Sequence, residues 1–230
     1  MSILGVMGPV MVGPSSSHTA GAARLGKLAR LAYGRPVRKV RITLFNSFAE
    51  TGEGHGTDRA LAGGVLGLEV DDERIRVALG LAREMGVEIA FERRLDPDKH
   101  PNYVEFAFPG EQAEEAPFTV CGESLGGGAV RIVALSGHRV EFSGRHDVLL
   151  LLYRDVPGMV GFIGDTLGAQ GINIAYMQIS RDAETSTALA VLKLDDPCPE
   201  AVLAELAANG NVSGVNYIRK QEGWGSGEED

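Results

Sequence analysis

Hydroxyl and imidazole side chains are concentrated in one short stretch near the start of the chain, GPSSSHT at residues 13–19. An Ala- and Leu-rich sequence follows it, so the stretch lies where a helix is predicted to begin. The free amides of a first helical turn, together with short hydroxyls, can receive an anion such as a small carboxylate. One hydroxyl suffices for an N-cap, whose loss costs about 1 kcal/mol. Four hydroxyls and a histidine exceed that need, so we predict a ligand or interface role for this stretch. Its candidate substrate-binding residues are Ser15, Ser16, Ser17 and Thr19, and His18 is a candidate catalytic residue.

A serine nucleophile is a different interpretation of the same stretch. Ser17 and His18 are adjacent in sequence, which is a poor placement for proton relay between a serine and its histidine base. The G-x-S-x-G turn of α/β-hydrolases is also missing from the sequence. We therefore reject a hydrolase, and simple N-capping remains the alternative to a binding role.

A second polar stretch, GEGHGTD at residues 52–58, places His55 between two glycines. A titratable ring with no apolar neighbours has no evident packing role, so we predict binding or catalytic assistance by His55. Thr57 and Asp58 stand at a predicted helix start and are candidate substrate-binding residues. Asp58 taken alone is equally typical of an N-cap.

Two further segments complete the set of candidates. Ser124 followed by three glycines indicates a close backbone approach to a ligand or partner, with Ser124, Gly126 and Gly127 as candidate binding residues. A phosphate-binding loop is not indicated, because the terminal Lys-Ser/Thr pair is absent. HPN at residues 100–102 is interpreted as a turn.

Composition limits the classes of protein to consider. The 230 residues, 44% of them hydrophobic, suffice for one large or two small packed domains. A net charge of −9, with the acidic excess mainly after His146, disfavours nucleic-acid binding. No run approaches the roughly 18 apolar residues of a membrane span, and the first residues lack the basic flank of a signal peptide, so we expect a cytoplasmic protein. Two cysteines, Cys121 and Cys198, are too few for a disulfide framework or for the four thiolates of an iron-sulfur cluster.

Residues 1–143 are predicted to form a mixed α and β domain. Apolar spacing predicts a helix from about Thr19 to Gly34, and VRKVRITLF alternates as a half-buried strand. A short helix from about Asp58 and an amphipathic helix in DDERIRVALGLAREMG follow. VEIAFERR, NYVEFAF and GAVRIVAL are predicted strands.

A second domain is predicted at residues 147–220, because the pattern restarts after Ser143. Its elements follow the order strand, helix, strand, strand, helix, strand, which is the ferredoxin-like βαββαβ arrangement. The whole chain is thus predicted to be α+β. Residues 221–230 are polar and Gly-rich and are predicted to be a disordered tail.

The segment RDVPGMVGFIGDTLGAQGINIAYMQISR in the second domain resembles the signature of an ACT domain, a small regulatory module that binds amino acids. The resemblance implies dimerisation through this domain. It also implies a ligand site at the start of the first helix of this domain. The alternative is that the same residues only shape turns. A physical argument supports the site, because the helix start after Pro157 can receive a carboxylate. The candidate ligand residues are Asp155, Pro157, Gly158, Met159 and Asn173.

GPSSSHT, SFAETGEGHGTD, HPN and SLGGG, in this order, resemble the N-terminal part of iron-sulfur L-serine dehydratases, which work without pyridoxal phosphate. A chain with this substrate-binding-type domain, followed by an ACT domain, looks like their beta subunit. The resemblance implies an alpha-subunit partner that ligates a [4Fe-4S] cluster, and L-serine as the substrate converted to pyruvate and ammonia. It implies that this chain holds serine, ligates no metal and is inactive alone. A monovalent cation requirement is a further implication to which no residue is assigned.

Three alternatives remain open at this point. The polar motifs form either a regulatory serine site or a wall of the active site. The chain could instead be a stand-alone amino-acid sensor. It could also be a regulatory fragment of a phosphoglycerate dehydrogenase, although no G-x-G-x-x-G motif follows a strand.

Overall fold

The computed structural model describes residues 15–50, 56–110 and 116–224. The chain divides into two compact units, one ending at Gly137 and the other beginning at His138. Both units combine helices with a β-sheet, which confirms the predicted α+β class. Among the described residues, no helix has the length and apolar character needed to cross a membrane.

The first predicted helix is present, but it begins with an unusual turn. A π-helix, Ser16–Gly21, continues directly into α1, Ala22–Tyr33. The helix ends at Gly34, whose left-handed φ of 68° lets its N–H donate to the carbonyl of Arg30.

Further helical segments precede the second strand. The short helix predicted from about Asp58 is α2, Thr57–Leu66. The predicted amphipathic helix is divided into a 3₁₀-helix, Glu73–Val77, and α3, Ala78–Glu84. The division falls at Val77, whose φ of −117° is not helical, so the prediction of one continuous helix was wrong at this position.

Within the described residues of the first unit, the strands form a sheet in the order β2-β1-β3-β4-β5. β1 pairs with β2 in parallel, and the pairs β1–β3, β3–β4 and β4–β5 are antiparallel. Strands β4 and β6 were not predicted. In β4, two glycines and the lack of regular apolar alternation concealed the strand pattern. The strands are β1 Lys39–Phe45, β2 Glu88–Arg94, β3 Tyr103–Phe108, β4 Phe118–Gly126, β5 Ala129–Leu135 and, at the start of the second unit, β6 His138–Phe142.

Helices α1 and α2 pack with their backbones in direct contact. A Cβ added at Gly26 would lie 2.3 Å from the carbonyl oxygen of Leu61, and one at Gly64 would lie 2.0 Å from that of Ala23. Glycine is therefore required on both sides of the contact. α2 also contacts the π-helix, so the helix that follows GHGTD packs against the element that contains the serine-rich turn.

The second unit has the predicted βαββαβ order. Its sheet order, β10-β7-β9-β8 with antiparallel neighbours, is that of the ferredoxin-like fold. The core is formed by Leu149 and Leu151 of the first strand against Ile163 and Leu167 of the first helix. The elements are β7 Asp147–Arg154, α4 Met159–Gly168, β8 Ile174–Asp182, β9 Thr187–Leu194, α5 Glu200–Ala208 and β10 Val212–Ile218. Within the predicted tail, Trp224 is buried, and residues 225–230 lie outside the described part of the chain.

Candidate functional site

His18 is the centre of a hydroxyl network at the start of the π-helix. Ser15 caps this helix, and its Oγ accepts the N–H of His18 at 3.3 Å. The same Oγ lies 3.2 Å from Nδ1 of the His18 ring, and Ser47 Oγ lies 3.3 Å from Nε2. Phe48 contacts the ring edge to face, with 5.3 Å between centroids. The half-buried imidazole is thus held from both of its nitrogens and from one side.

The end of β4 packs directly against the serine-rich turn. Ser124 is fully buried, and its Oγ donates to the carbonyl of Ser17 at 3.0 Å. Gly21 is required beside it, since a Cβ there would lie 2.1 Å from Ser124 Oγ. The two motifs that contain Ser17 and Ser124 are therefore brought together by backbone and hydroxyl contacts. Ser16 lies in the same helical turn and is half-buried.

The three glycines after Leu125 form the hairpin between β4 and β5. Gly126, Gly127 and Gly128 all have positive φ, at 101°, 60° and 84°, a conformation that favours glycine. The buried Arg24 of α1 donates through Nη1 to the carbonyl of Gly128 at 2.7 Å. The hairpin is thereby tied to the helix that carries the serine-rich turn.

The HPN segment joins two of the other motifs rather than serving only as a turn. Asn102 and Ser124 exchange backbone and side-chain hydrogen bonds, with Ser124 N–H donating to Asn102 O at 3.0 Å. Asn102 N–H donates to Nδ1 of His100 at 3.1 Å. Phe48 N–H donates to Pro101 O at 3.4 Å. HPN therefore lies between the segment after β1 and the end of β4.

The GHGTD motif is described only from Gly56 onward, and His55 lies outside the described residues. Gly56 is the N-cap of α2, with a φ of 71°, and Thr57 is fully buried in the first turn. Asp58 is not the cap, because its carboxylate accepts the N–H of the next residue, Arg59, at 2.9 Å. Its negative charge in the first turn interacts favourably with the helix dipole and so stabilises the helix.

Three buried oxygens in these motifs have no hydrogen-bond partner within the described residues. They are Thr19 Oγ1, Thr57 Oγ1 and Asn102 Oδ1, and each belongs to a different motif. An unsatisfied buried polar group costs about 1–3 kcal/mol. The region therefore retains hydrogen-bonding capacity that a ligand or a rearranged backbone could satisfy.

The described residues do not fit a [4Fe-4S] cluster. They contain no group of three or more His, Cys, Asp or Glu side chains that could hold a metal ion. Cys121 and Cys198 are both buried and belong to different units. Burial raises the pKa of each thiol, which disfavours the thiolate that iron requires.

The candidate ligand residues of the second unit lie at the two ends of α4. Asp155 forms an ion pair with Arg181 at 2.5 Å, and Asn173 Nδ2 donates to Asp195 Oδ2. Gly158, with a φ of 93°, is the N-cap of α4; it and Pro157 are exposed. The side chain of Met159 packs in the hydrophobic core of the unit.

Sequence reasoning did not select Asn46, Ser47, Asn102 or Arg24 as site residues. Ser47 and Asn102 were inside quoted motifs, so their polar character was visible. Arg24 and Asn46 gave no local signal, because their partners lie 104 and 50 or more residues away.

Fold and site together define a two-unit α+β protein in which hydroxyl, imidazole and glycine-rich segments converge in the first unit and the second unit is ferredoxin-like. Residues 6–134 match the model of the family described as serine dehydratase beta chain. The chain belongs to this family. The resemblance noted from the four motifs is thus confirmed, and the ACT assignment stays a prediction.

Named relatives extend the match to nearly the whole chain. The probable L-serine dehydratase beta chain of Bacillus subtilis (strain 168) is 36% identical over 217 residues, which cover 94% of this chain and 97% of that protein. The L-serine dehydratase beta chain of Peptoniphilus asaccharolyticus is 36% identical over 214 residues, or 93% and 96%. A D-3-phosphoglycerate dehydrogenase of Bacillus subtilis (strain 168) is 26% identical over 198 residues, which cover 86% of this chain and 37% of that enzyme.

Proposed function

We propose that the chain is the beta subunit of a cytoplasmic L-serine dehydratase, which converts L-serine to pyruvate and ammonia together with an alpha subunit. The observation that carries the proposal is the hydroxyl network in which Ser15 and Ser47 contact the His18 ring, in a chain that matches beta chains over almost their full length. The match to the dehydrogenase supports the fragment alternative less well, because it covers only 37% of that enzyme.

The alpha subunit supplies the iron-sulfur cluster in this proposal. The reason is the donor set of this chain, which holds two buried cysteines and, within the described residues, no cluster of metal-ligating side chains. The role of the beta subunit is then to bind and orient serine or to regulate the alpha subunit. We expect the isolated chain to have no dehydratase activity.

Serine is proposed to bind where the π-helix and α2 begin. The free amides of these first turns attract the carboxylate of an amino acid. Thr19 and Thr57 each bring a buried hydroxyl that lacks a partner within the described residues. His18 directly precedes Thr19, and both of its ring nitrogens lie close to serine hydroxyls, so its ring is already oriented. His55, which lies in the same motif as Thr57, is assigned to this site from the sequence.

The ferredoxin-like unit is proposed to be an ACT domain that dimerises and takes an amino acid at the start of α4. The exposed, left-handed Gly158 leaves the amides after it accessible, which supports a carboxylate site. Isothermal titration of the chain with L-serine, repeated with Gly158→Ala, tests this site apart from the first unit. Unchanged binding in the variant contradicts a ligand site at Gly158.

The proposed activity is tested by anaerobic co-expression and purification with an iron-sulfur alpha subunit, followed by a pyruvate assay with L-serine. We expect turnover by the complex and none by either chain alone. Stable binding of serine without turnover by the complex contradicts the proposal and favours the stand-alone sensor.

The two possible roles of the serine site are separated in the same assay. Substituting His18→Gln in the active-site role lowers kcat, since the ring then faces the reacting substrate. In the regulatory role the same change shifts the dependence of rate on serine concentration and leaves the limiting kcat close to that of the unmodified complex. An unchanged kcat and an unchanged serine dependence together contradict the site assignment.

A further inference from the structure

We propose that Asn46 is a positioning residue that fixes the turn at residues 96–100 and, through Ser47 and Phe48, the orientation of His18. The effect on the imidazole concerns the folded chain alone. Only the consequence for serine turnover rests on the proposed function.

The side chain of Asn46 forms hydrogen bonds to the loop after β2, just beyond the last paired residues of β1 and β2. Nδ2 donates to the carbonyls of Asp96 at 2.8 Å, Lys99 at 3.1 Å and His100 at 3.4 Å. Oδ1 accepts the N–H of Asp96 at 2.8 Å. The Asn46 backbone N–H donates to Arg94 O at 3.1 Å. A single residue therefore closes the loop that leads from β2 into HPN.

Asn46 also has an uncommon backbone conformation. Its φ is 51°, one of three positive values among the described residues other than glycine, the others being at Ser136 and Ser186. Asparagine tolerates this left-handed region better than most residues. Strand β1 ends just before this residue, and a helical segment follows at 47–50.

The two residues after Asn46 both contact the His18 ring, which Ser15 also contacts at Nδ1. Ser47 Oγ lies 3.3 Å from Nε2, and the Phe48 ring contacts the imidazole. Phe48 N–H donates to Pro101 O, so the same segment is anchored again to the loop that Asn46 closes. Movement at Asn46 therefore changes the position of Ser47 and Phe48 relative to the ring.

The alternatives to asparagine separate the backbone role from the side-chain role. Glycine keeps the positive φ and loses all four side-chain hydrogen bonds. Aspartate keeps an acceptor for the Asp96 N–H but sets a carboxylate against three carbonyl oxygens. Asn46→Gly and Asn46→Asp should therefore both disturb the loop, although only the first removes the acceptor. Ser186→Gly, at another left-handed position in the second unit, is the matched control.

The first readout is the nitrogen spectrum of the histidine rings in the full chain, with His18 assigned from a His18→Gln variant. We expect Asn46→Gly and Asn46→Asp to move the His18 ring signals, while Ser186→Gly leaves them unchanged. If Asn46→Gly does not fold, by circular dichroism, Asn46→Asp carries the test. Unchanged His18 signals in a folded Asn46 variant overturn the proposal whether or not any complex is active.

The second readout is serine turnover by the complex with the alpha subunit. A displacement of about 1 Å near a reacting group can cost up to about 100-fold, so we expect kcat/KM to fall at least tenfold with either Asn46 variant. Shifted His18 signals with unchanged kcat/KM overturn the link to turnover. An inactive unmodified complex, with shifted His18 signals in the variants, contradicts the proposed function and leaves the positioning role supported.

Discussion

Replacing Gly64 by alanine tests the helix contact on which the site depends. The added Cβ would lie 2.0 Å from Ala23 O and 2.7 Å from Lys27 N. Both are backbone atoms, so no side-chain rotation relieves the clash, and α1 and α2 must separate. The packing of α2 against α1 and the π-helix is then disturbed, although no polar group has been changed.

The size of the effect follows from two opposing contributions. Forcing extra volume into a packed contact costs about 1–3 kcal/mol, and the backbone clash places this change at the upper end. Alanine in a helix interior recovers about 1 kcal/mol relative to glycine. We expect the free energy of unfolding of the first unit to fall by about 2 kcal/mol.

Gly80→Ala is the matched control, since a Cβ at this exposed position in α3 meets nothing within 4 Å. This variant should gain stability, by about 0.5–1 kcal/mol. Urea unfolding followed by circular dichroism, with amide hydrogen exchange of α1 and α2, measures both changes. If Gly64→Ala proves as stable as Gly80→Ala, the result contradicts the close backbone packing of α1 against α2. Weaker serine binding by Gly64→Ala alone would connect this packing to the site.

Three other outcomes can be measured on the same chain. Thr57→Val removes a hydroxyl without a partner in the described residues, so stability should be retained while serine affinity falls about 3- to 10-fold; unchanged affinity by calorimetry contradicts a binding role. Ser124→Ala should lower the free energy of unfolding by about 1 kcal/mol in urea titration, because Ser17 O loses its donor, and no loss contradicts that bond. Burial and the hydrogen bond to Asp147 raise the pKa of Tyr217 to about 12, so its contribution to stability is complete below pH 10 and is lost as the pH rises toward 12. Tyr217→Phe should flatten the loss of stability measured between pH 10 and 12, and an unaltered slope contradicts this account.

Local patterns were sufficient for most elements. The second unit follows the predicted order of six elements, because apolar alternation in strands and helical spacing are properties of neighbouring residues. Similarly, α1 ends at the glycine that marked its end in the sequence. By contrast, β4 was missed. The glycine at position 122 in β4 is required by a contact with a residue far away in sequence, since a Cβ there would lie 2.6 Å from Leu25 Cδ2.

The sequence by itself determined which residue types were present in the candidate site: the hydroxyls, the imidazole and the glycines of four motifs. Only the tertiary structure decided which of them meet. Ser124 contacts Ser17 across 107 positions, and Ser47 contacts His18 across 29. A hydrogen bond requires its two atoms to lie within about 3.5 Å. That distance is set by strand register and helix packing, which no local pattern contains.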